Sequence, residues 1–258
     1  MITSTSNQQI KKIIQLAKKA KTRKEEDAFL VEGLRMYQEA PGERIIKTYV
    51  SESFYKKEKR LFVEKEVEIV EDRVFQSASD TMTPQGILSI VRQYHYKIED
   101  FWKKSHPFFM ILENIQDPGN LGTIFRTAEG AGVEGIFLTR DCVDIYNPKV
   151  IRSTMGSIYR MPFLYIDSGI DMVYDIQKRG IRVFAAHLQA KQNYDTEDYT
   201  KGTAFLIGNE GNGLTEELAR MADCYIKIPM QGKVESLNAA MAAGILMYEV
   251  SRQRRKKK

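Results

Sequence analysis

The chain has 258 residues, 43% of them hydrophobic, so it can bury at least one full core and two domains are expected. No segment approaches the roughly 18 uninterrupted apolar residues of a membrane span, and the N-terminus lacks a signal-peptide pattern, so we expect a soluble, cytoplasmic protein. Cys142 and Cys224 are the only cysteines and belong to no CxxC or Cys/His pattern, which gives no indication of a disulfide framework or a metal site.

Positive charge is concentrated at the two ends of the chain. Residues 1–24 carry seven Lys/Arg and residues 251–258 carry six, with no acid in either run, which leaves 26 basic against 34 acidic side chains between them. A mildly acidic body with cationic ends suggests that the ends meet a polyanion, for which a phosphate backbone is the commonest candidate. For the C-terminal run alone, a solvated tail is the favoured interpretation.

The N-terminal run contains a predicted amphipathic helix over residues 7–21. Its apolar face carries Ile10, Ile13, Ile14 and Ala17, and the lysines around the remainder are Lys11, Lys12, Lys18 and Lys19. Strand and helix patterns then alternate as far as residue 91, which predicts a small α/β domain over residues 1–96. In this domain, Glu32, Arg35 and Gln85 either contact the polyanion or stabilise turns, and the two alternatives are about equal.

The second domain is predicted to follow a linker at residues 97–106, where mixed charge and no clean period precede Pro107. Buried-type strands and helices alternate again over residues 107–258, from FFMILENI to the small-residue helix after Leu237. This alternation predicts an α/β fold with a mostly parallel sheet and helices on both faces.

A first motif spans residues 113–132. Asp117, Pro118 and Gly119 break the preceding strand, and Asn120 is placed to cap the next helix. Arg126 lies inside that helix, from where a long side chain can reach the edge of the sheet at which ligands bind in open α/β folds. Taken alone, a simple helix cap is the favoured explanation of Asn120 and a salt-bridge partner that of Arg126, by roughly two to one.

A second motif, FLIGNEGNGLTEEL, spans residues 205–218. Its strand runs into Gly208, Gly211 and Gly213, which can leave backbone N–H groups free for a polar ligand. A tight turn followed by a helix cap at Thr215 explains the glycines without any ligand.

A third motif spans residues 226–250. The pattern predicts a short strand ending at Met230, with Pro229 inside it, and a helix capped by Ser236. The small residues after Leu237 let a neighbouring backbone approach closely.

In this order the three motifs resemble the three signatures of the SpoU (TrmH-type) RNA ribose methyltransferases of the SPOUT superfamily. They read N-x-G-x3-R-T-A from Asn120, G-N-E-G-x-G-L from Gly208 and I-P-M, G, S-L-N from Ile228. Residues 147–162 resemble the family segment between the first two signatures. The N-terminal half looks like the RNA substrate-binding domain that many of these enzymes carry.

The resemblance implies transfer of a methyl group from S-adenosylmethionine to a ribose 2′-hydroxyl of RNA, with ribosomal RNA favoured and tRNA second. It also implies a C-terminal deep trefoil knot and a homodimer. The implied catalytic residues are Arg126, Asn120, Glu210, Ser236 and Asn238. The implied cofactor-binding residues are Gly208, Asn209, Ile228, Met230 and Leu237. His187 follows the predicted strand VFAAHL and is a further candidate for the border of the cofactor pocket, although an ordinary surface or core histidine is the favoured interpretation. The candidate RNA contacts are Lys11, Lys12, Lys18, Lys19 and Arg35.

The general base stays open between two residues. The family is usually discussed with the motif arginine, here Arg126, as the base, but a guanidinium is ordinarily protonated and a base must accept a proton. Arg126 is therefore either strongly perturbed by its site or mainly holds the adjacent phosphate and stabilises alkoxide charge. Glu210 is the rival base, and Asn120, Ser236 and Asn238 would position the ribose.

Two other functions compete with the methyltransferase interpretation. One is a non-catalytic RNA-binding or ribosome-associated protein, against which the joint presence of all five catalytic-type residues argues. The other is a Rossmann-type oxidoreductase, which requires GxGxxG after its first strand, whereas the first strand of the second domain leads into DPGNLG.

Overall fold

The computed structural model describes residues 1–63 and 65–255, which form two compact units. The first unit contains Met1–Tyr94 and Asp144–Tyr159, and the second contains His95–Val143 and the chain from Arg160 onward. The sequence predicts two consecutive domains, whereas the structure places one segment of the second half within the first unit.

Helices and strands alternate along most of the chain, as the periodicity predicts. The helices are α1 Gln8–Lys18, α2 Ala20–Glu25, α3 Leu34–Glu39, α4 Glu52–Lys57, α5 Asp72–Ala78, α6 Pro118–Ala131, α7 Pro148–Thr154, α8 Gly169–Lys178, α9 Glu216–Arg220 and α10 Ala239–Arg255. The strands are β1 Ala28–Glu32, β2 Ile45–Ser51, β3 Glu68–Val70, β4 Ile87–Arg92, β5 Phe108–Leu112, β6 Gly135–Thr139, β7 Phe163–Ile166, β8 Arg182–Ala186, β9 Gln192–Asn193, β10 Thr203–Ile207 and β11 Cys224–Lys227. Within the described part of the chain, no helix combines the length and apolar content needed to cross a bilayer.

The first unit is built on a four-stranded sheet in the order β1-β4-β2-β3. Strand β4 is antiparallel to both neighbours, and β2 and β3 are parallel. Helix α1 buries Ile10, Ile13 and Leu16 in the core of this unit, which confirms the predicted amphipathic helix. The helix ends at Lys18 because Lys19 has an extended backbone, so the prediction that it reaches residue 21 is wrong and α2 follows separately.

Arg23 shows that one cation of the N-terminal run is structural. Its side chain is 4% exposed and donates hydrogen bonds to the carbonyl of Leu16 at 2.7 Å and to the carboxylate of Asp144 at 2.6 Å. A buried charge requires such partners, since removing it from water without them is costly. Arg23 is therefore committed to holding α1 and the segment at Asp144, and it is not available to a polyanion.

The polar residues around the turn after β1 have partners within the protein. The carboxylate of Glu32 accepts hydrogen bonds from the hydroxyls of Ser79 and Thr81 at 2.6 to 2.9 Å. Arg35 is exposed and forms an ion pair with Glu39 on the same helix at 2.8 Å. Glu32 thus stabilises a turn, and Arg35 remains on the surface.

The second unit contains a seven-stranded sheet in the order β7-β6-β5-β10-β8-β11-β9, in which every neighbouring pair is parallel. Strands β5 and β10 are buried along their whole length, as their unbroken apolar sequences predict. The predicted α/β fold with a mostly parallel sheet is confirmed. Because the strands are parallel, the carboxyl ends of β5, β8, β10 and β11 meet at one edge.

Helices α6 and α10 pack closely through small residues. A methyl group added to Gly130 of α6 would lie 3.3 Å from the hydroxyl oxygen of Tyr248, and one added to Gly244 of α10 would lie 3.6 Å from a methyl carbon of Thr127. The small residues of the third motif therefore let the two helices approach, which brings the first and third motifs together.

The C-terminal basic run is not a solvated tail as far as residue 255. The half-buried guanidinium of Arg254 donates hydrogen bonds to four backbone carbonyls, those of His106, Pro107, Tyr199 and Lys201, at 2.7 to 3.3 Å. Arg254 thereby fixes the end of α10 to the segments that precede β5 and β10. The remainder of the predicted tail, residues 256–258, lies outside the described residues.

Candidate active site

A cavity of about 590 Å³ lies at the carboxyl ends of β8, β10 and β11, the edge at which ligands bind in open parallel sheets. Its walls come from residues 186–189 after β8, residues 207–214 after β10, residues 226–230 after β11 and the start of α10. The predicted site residues that line it are His187, Gly208, Asn209, Glu210, Ile228, Met230, Ser236 and Leu237. The second and third motifs therefore share one pocket.

Gly208 closes the loop that forms one wall of the cavity. A methyl group at this position would lie 2.2 Å from the carbonyl carbon of Gly213 and 2.2 Å from the nitrogen of Leu214, too close for any side chain. Asn209 and Gly213 exchange two backbone hydrogen bonds, at 2.9 and 3.0 Å, and so hold the loop shut. This close backbone approach is enough to require glycine at position 208, before any contact with a ligand is considered.

The three motifs are joined by a chain of hydrogen bonds through Asn120. The amide nitrogen of Asn120 donates to the carboxylate of Glu210 at 2.9 Å, and its amide oxygen accepts from the side chain of Asn238 at 2.8 Å. Asn120 is 9% exposed, so both of its polar ends must find partners within the protein. One side chain from each motif thus meets in a single network beside the cavity.

Two predicted helix caps are wrong, and the correction explains this network. Asp117 caps α6 by accepting from the backbone nitrogen of Asn120 at 2.7 Å, which leaves the Asn120 side chain free to bond elsewhere. Asn238, rather than Ser236, caps α10 by accepting from the backbone nitrogens of Ala240 and Met241. Asn238 therefore stabilises its helix and bonds to Asn120 at the same time.

The predicted strand of the third motif is also shorter than expected. Strand β11 ends at Lys227, so Pro229 lies beyond it, which agrees with the inability of proline to donate a ladder hydrogen bond. Ile228, Met230 and Leu237 instead belong to an irregular segment whose half-buried side chains line the cavity.

The carboxylate of Glu210 is held by several donors. Besides Asn120, the backbone nitrogens of Gln116 and Asp117 donate to it at 3.3 and 3.2 Å. Burial alone would raise the pKa of Glu210, but these hydrogen bonds to its charged form outweigh burial and lower the pKa below its usual value. The carboxylate is thus a stable anion that anchors the first motif to the second.

Arg126 is separated from this network. It is exposed on α6 and is not among the residues that line the cavity. Among residues 1–63 and 65–255, no carboxylate forms an ion pair with it. Its side chain is therefore accessible to an additional molecule.

His187 lies at the cavity border, as predicted, with its ring already engaged. The imidazole stacks on the ring of Tyr225 with 4.9 Å between centroids, and its Nδ1 accepts from the backbone nitrogen of Gln189 at 3.2 Å. The stacked imidazole forms a flat, half-buried border of the cavity.

Sequence reasoning missed the polar residues that follow β5. Glu113 accepts from both the backbone nitrogen and the hydroxyl of Thr215, at 2.7 and 2.8 Å, and Thr215 caps α9 as predicted. The loop after β10 is also contacted by the backbone carbonyl of Asn114, which accepts from the side chain of Asn209, and by the backbone nitrogen of Gln116, which donates to Glu210. The available signal was their position, directly after a buried strand and at the edge where the motifs meet.

The cavity fits S-adenosylmethionine. Its volume is that of a small-molecule site, and its lining combines apolar side chains such as Ile207, Ile226 and Leu246 with the polar Asn209 and His187. A purine nucleoside joined to a charged amino acid requires this mixture. In the described ranges, no three His, Cys, Asp or Glu side chains lie close enough together to hold a metal ion.

Comparisons with known proteins agree with the geometry. The profile of the SpoU rRNA Methylase family matches residues 107–248, and that of the MRM3-like substrate binding domain matches residues 7–89. The Synechocystis sp. protein slr1673, which is named an uncharacterized tRNA/rRNA methyltransferase, is 33% identical over 98% of this chain and 93% of its own. The 23S rRNA (guanosine(2553)-2′-O)-methyltransferase RlmP of Bacillus subtilis is 31% identical over 96% of this chain and 98% of its own.

A solved structure shows the same fold. The AdoMet-bound rRNA methyltransferase of Sinorhizobium meliloti superposes with a TM-score of 0.81 at 30% identity, over 97% of both chains. The resemblance seen in the three motifs is confirmed, and this chain belongs to the SpoU rRNA methylase family.

Proposed function

We propose that this protein transfers a methyl group from S-adenosylmethionine to a ribose 2′-hydroxyl in RNA, with ribosomal RNA as the favoured substrate. The observation that carries the proposal is the Asn120 network, which joins all three motifs beside one cavity of cofactor size. The relative RlmP is named as a 23S rRNA 2′-O-methyltransferase, which supports both the ribose as the methylated group and ribosomal RNA as the substrate.

The cofactor, when bound, supplies an electrophilic methyl group at the cavity. The protein's task is then to hold the ribose hydroxyl in line with that methyl group. Asn120 and Asn238 lie in fixed orientations because each bonds at both ends of its amide. Ser236, exposed at the cavity rim, is placed to contact the incoming nucleotide.

Glu210 acts as an anchor in this mechanism and not as the base. A carboxylate whose pKa is lowered by three donors accepts a proton poorly. Arg126, as a permanent cation, is suited to holding a phosphate and stabilising the charge that develops on the ribose oxygen. As the bond to the methyl group forms, the hydroxyl becomes acidic enough for water to take its proton.

The active assembly is a homodimer in this proposal. Met241 and Tyr248 are 59% and 50% exposed on α10 and lie seven positions apart, on one helix face. Arg126 is exposed on α6, which packs against α10. A second copy that covers this apolar face would meet Arg126, so we propose that each cavity receives Arg126 from the partner subunit.

The trefoil knot and the cytoplasmic location complete the proposal. The knot is proposed from membership of the SpoU rRNA methylase family, and the packing of α10 on α6 and β10 is compatible with it. A cytoplasmic location is supported by the proposed substrate, because ribosomal RNA and S-adenosylmethionine meet there.

The N-terminal unit is proposed to bind RNA through α1. Lys11, Lys18 and Lys19 are exposed around this helix, whereas Lys12 is paired with Glu26 at 2.5 Å. The MRM3-like substrate binding domain profile covers this helix. Three of the four predicted lysines are therefore available to phosphates.

The reaction is tested with purified protein, methyl-labelled S-adenosylmethionine and total RNA from cells that lack the protein. We expect label in 2′-O-methylnucleosides of ribosomal RNA, identified by digestion and mass spectrometry. Asn238→Ala should lower the rate by about a hundredfold, because the ribose is no longer aligned. Label on bases or on protein, with none on ribose, would contradict the proposal, and label in tRNA alone would change the substrate.

The role of Glu210 is tested with two variants. Glu210→Gln keeps one acceptor oxygen for the anchoring bonds, so we expect kcat to fall by about tenfold or less, whereas Glu210→Ala should lose about a hundredfold. The pH dependence of kcat should not change in Glu210→Gln. Equal losses in both variants, together with a displaced acid limb, would identify Glu210 as the base.

The role of the lysines is tested by the salt dependence of RNA binding. Replacing Lys11, Lys18 and Lys19 by Gln should reduce the slope of log K against log salt by about two to three, roughly one per lost phosphate contact. The matched control is Lys12→Gln, which removes a paired lysine from the same helix and should leave the slope nearly unchanged. An unchanged slope in the triple variant would return α1 to a structural role.

Sharing of Arg126 between subunits is tested by complementation. Arg126→Ala and Asn238→Ala are each expected to be inactive. After subunit exchange, half of the dimers contain one subunit of each variant, and each of these dimers has one intact site. The mixture should therefore recover about a quarter of wild-type activity. Light scattering checks that every sample is dimeric. A dimeric mixture without recovered activity would show that each subunit uses its own Arg126.

A further inference from the structure

The backbone of Asn114 has an unusual conformation at the edge of the active site. The residue follows Glu113 beyond the end of β5, and its φ of +54° lies in the left-handed region. Residues with a Cβ atom rarely adopt this region, although asparagine tolerates it better than most. Such a conformation persists where surrounding contacts determine it, and it is concentrated at functional sites.

Three hydrogen bonds determine the orientation of Asn114. Its backbone nitrogen donates to the hydroxyl of Thr139 at 3.0 Å, which fixes it to the end of β6. Its backbone carbonyl accepts from the side-chain amide of Asn209 at 2.8 Å. Its side-chain oxygen accepts from the side chain of Gln116 at 2.6 Å.

The bonds to Asn209 and Gln116 connect Asn114 to the residues that hold Glu210. The amide of Asn209 is held at both ends, since its oxygen also accepts from the backbone nitrogen of Gly211 at 2.9 Å, and residues 209 and 211 flank Glu210. Gln116, whose side chain bonds to Asn114, donates its backbone nitrogen to the Glu210 carboxylate at 3.3 Å. The left-handed turn at Asn114 aims the carbonyl at Asn209, and an ordinary φ would direct that carbonyl elsewhere.

We propose that Asn114 is a positioning residue for the methyl transfer. Its left-handed backbone holds the Asn209 side chain, which fixes the loop that carries Glu210 and thereby aligns Asn120 and Asn238. The inference rests on the proposed function for its kinetic consequence, but the structural consequence, a fixed loop over residues 208–214, holds in the protein without cofactor.

Two substitutions separate the backbone of Asn114 from its side chain. Asn114→Gly keeps the left-handed conformation and both backbone hydrogen bonds, so kcat for ribose methylation should stay within about fivefold of wild type. Asn114→Val cannot adopt a positive φ without strain, so the carbonyl should turn away and kcat should fall by about thirtyfold or more. The dissociation constant for S-adenosylmethionine, measured by calorimetry, should stay within about threefold of wild type in Asn114→Gly and should rise in Asn114→Val, because the same loop forms a wall of the cavity.

Asn209→Ala removes the donor of the same hydrogen bond and leaves the Asn114 backbone unchanged. It should lower kcat about as much as Asn114→Val, and the double variant should show no further loss, because both changes break the same contact. Asp27→Val is the matched control, since Asp27 also has a positive φ, +48°, but belongs to the first compact unit. It should reduce stability without changing kcat.

Hydrogen–deuterium exchange of the cofactor-free protein supplies a readout that does not depend on activity. Residues 208–214 should exchange faster in Asn114→Val and in Asn209→Ala than in wild type or Asp27→Val. Unchanged exchange and unchanged kcat in both variants would overturn the inference while leaving the methyltransferase function intact. Additive losses in the double variant would also overturn it, and a wild-type protein without ribose methylation would instead refute the proposed function.

Discussion

The site depends on the amide of one buried asparagine. Asn120 donates to Glu210 of the second motif and accepts from Asn238 of the third, so it satisfies two loops that are far apart in sequence. A side chain with one donor end and one acceptor end is needed here, because a carboxylate would repel Glu210 and an apolar group would leave both partners unsatisfied. The bond from Asn120, together with those from the backbone nitrogens of Gln116 and Asp117, also lowers the pKa of Glu210, so one network sets both the geometry and the electrostatics beside the cavity.

Much of the fold and the location of the site could be predicted from the sequence. Unbroken apolar runs such as β5 and β10 occur in strands buried on both faces, and their alternation with helices predicts a parallel sheet. Parallel strands end at one edge, which brings together motifs that each follow a strand. The helix caps could not be predicted in the same way. Asp117 and Asn120 are both good caps, and the choice between them depends on Glu210, a partner that local sequence does not reveal.

Charge was a weaker guide than periodicity, because counting cations does not show where their side chains go. Arg23 belongs to the N-terminal basic run but is buried against Asp144. Arg254 belongs to the C-terminal run but bonds to four backbone carbonyls. Both guanidiniums act as planar donors within the fold, which lysine would do less well. Within residues 1–63 and 65–255, the two basic runs therefore offer a polyanion fewer free cations than the sequence suggests.

The segment Asp144–Tyr159 gives the chain an interleaved order of assembly. It supplies α7, which packs on β1, and Tyr146, whose ring lies 4.7 Å from that of Phe29. During synthesis on the ribosome, residues 1–94 emerge well before this segment, and β5 and β6 are made in between. The first unit cannot complete its core until part of the second unit has been translated. A fragment that ends at residue 94 would therefore leave apolar surface on β1 uncovered.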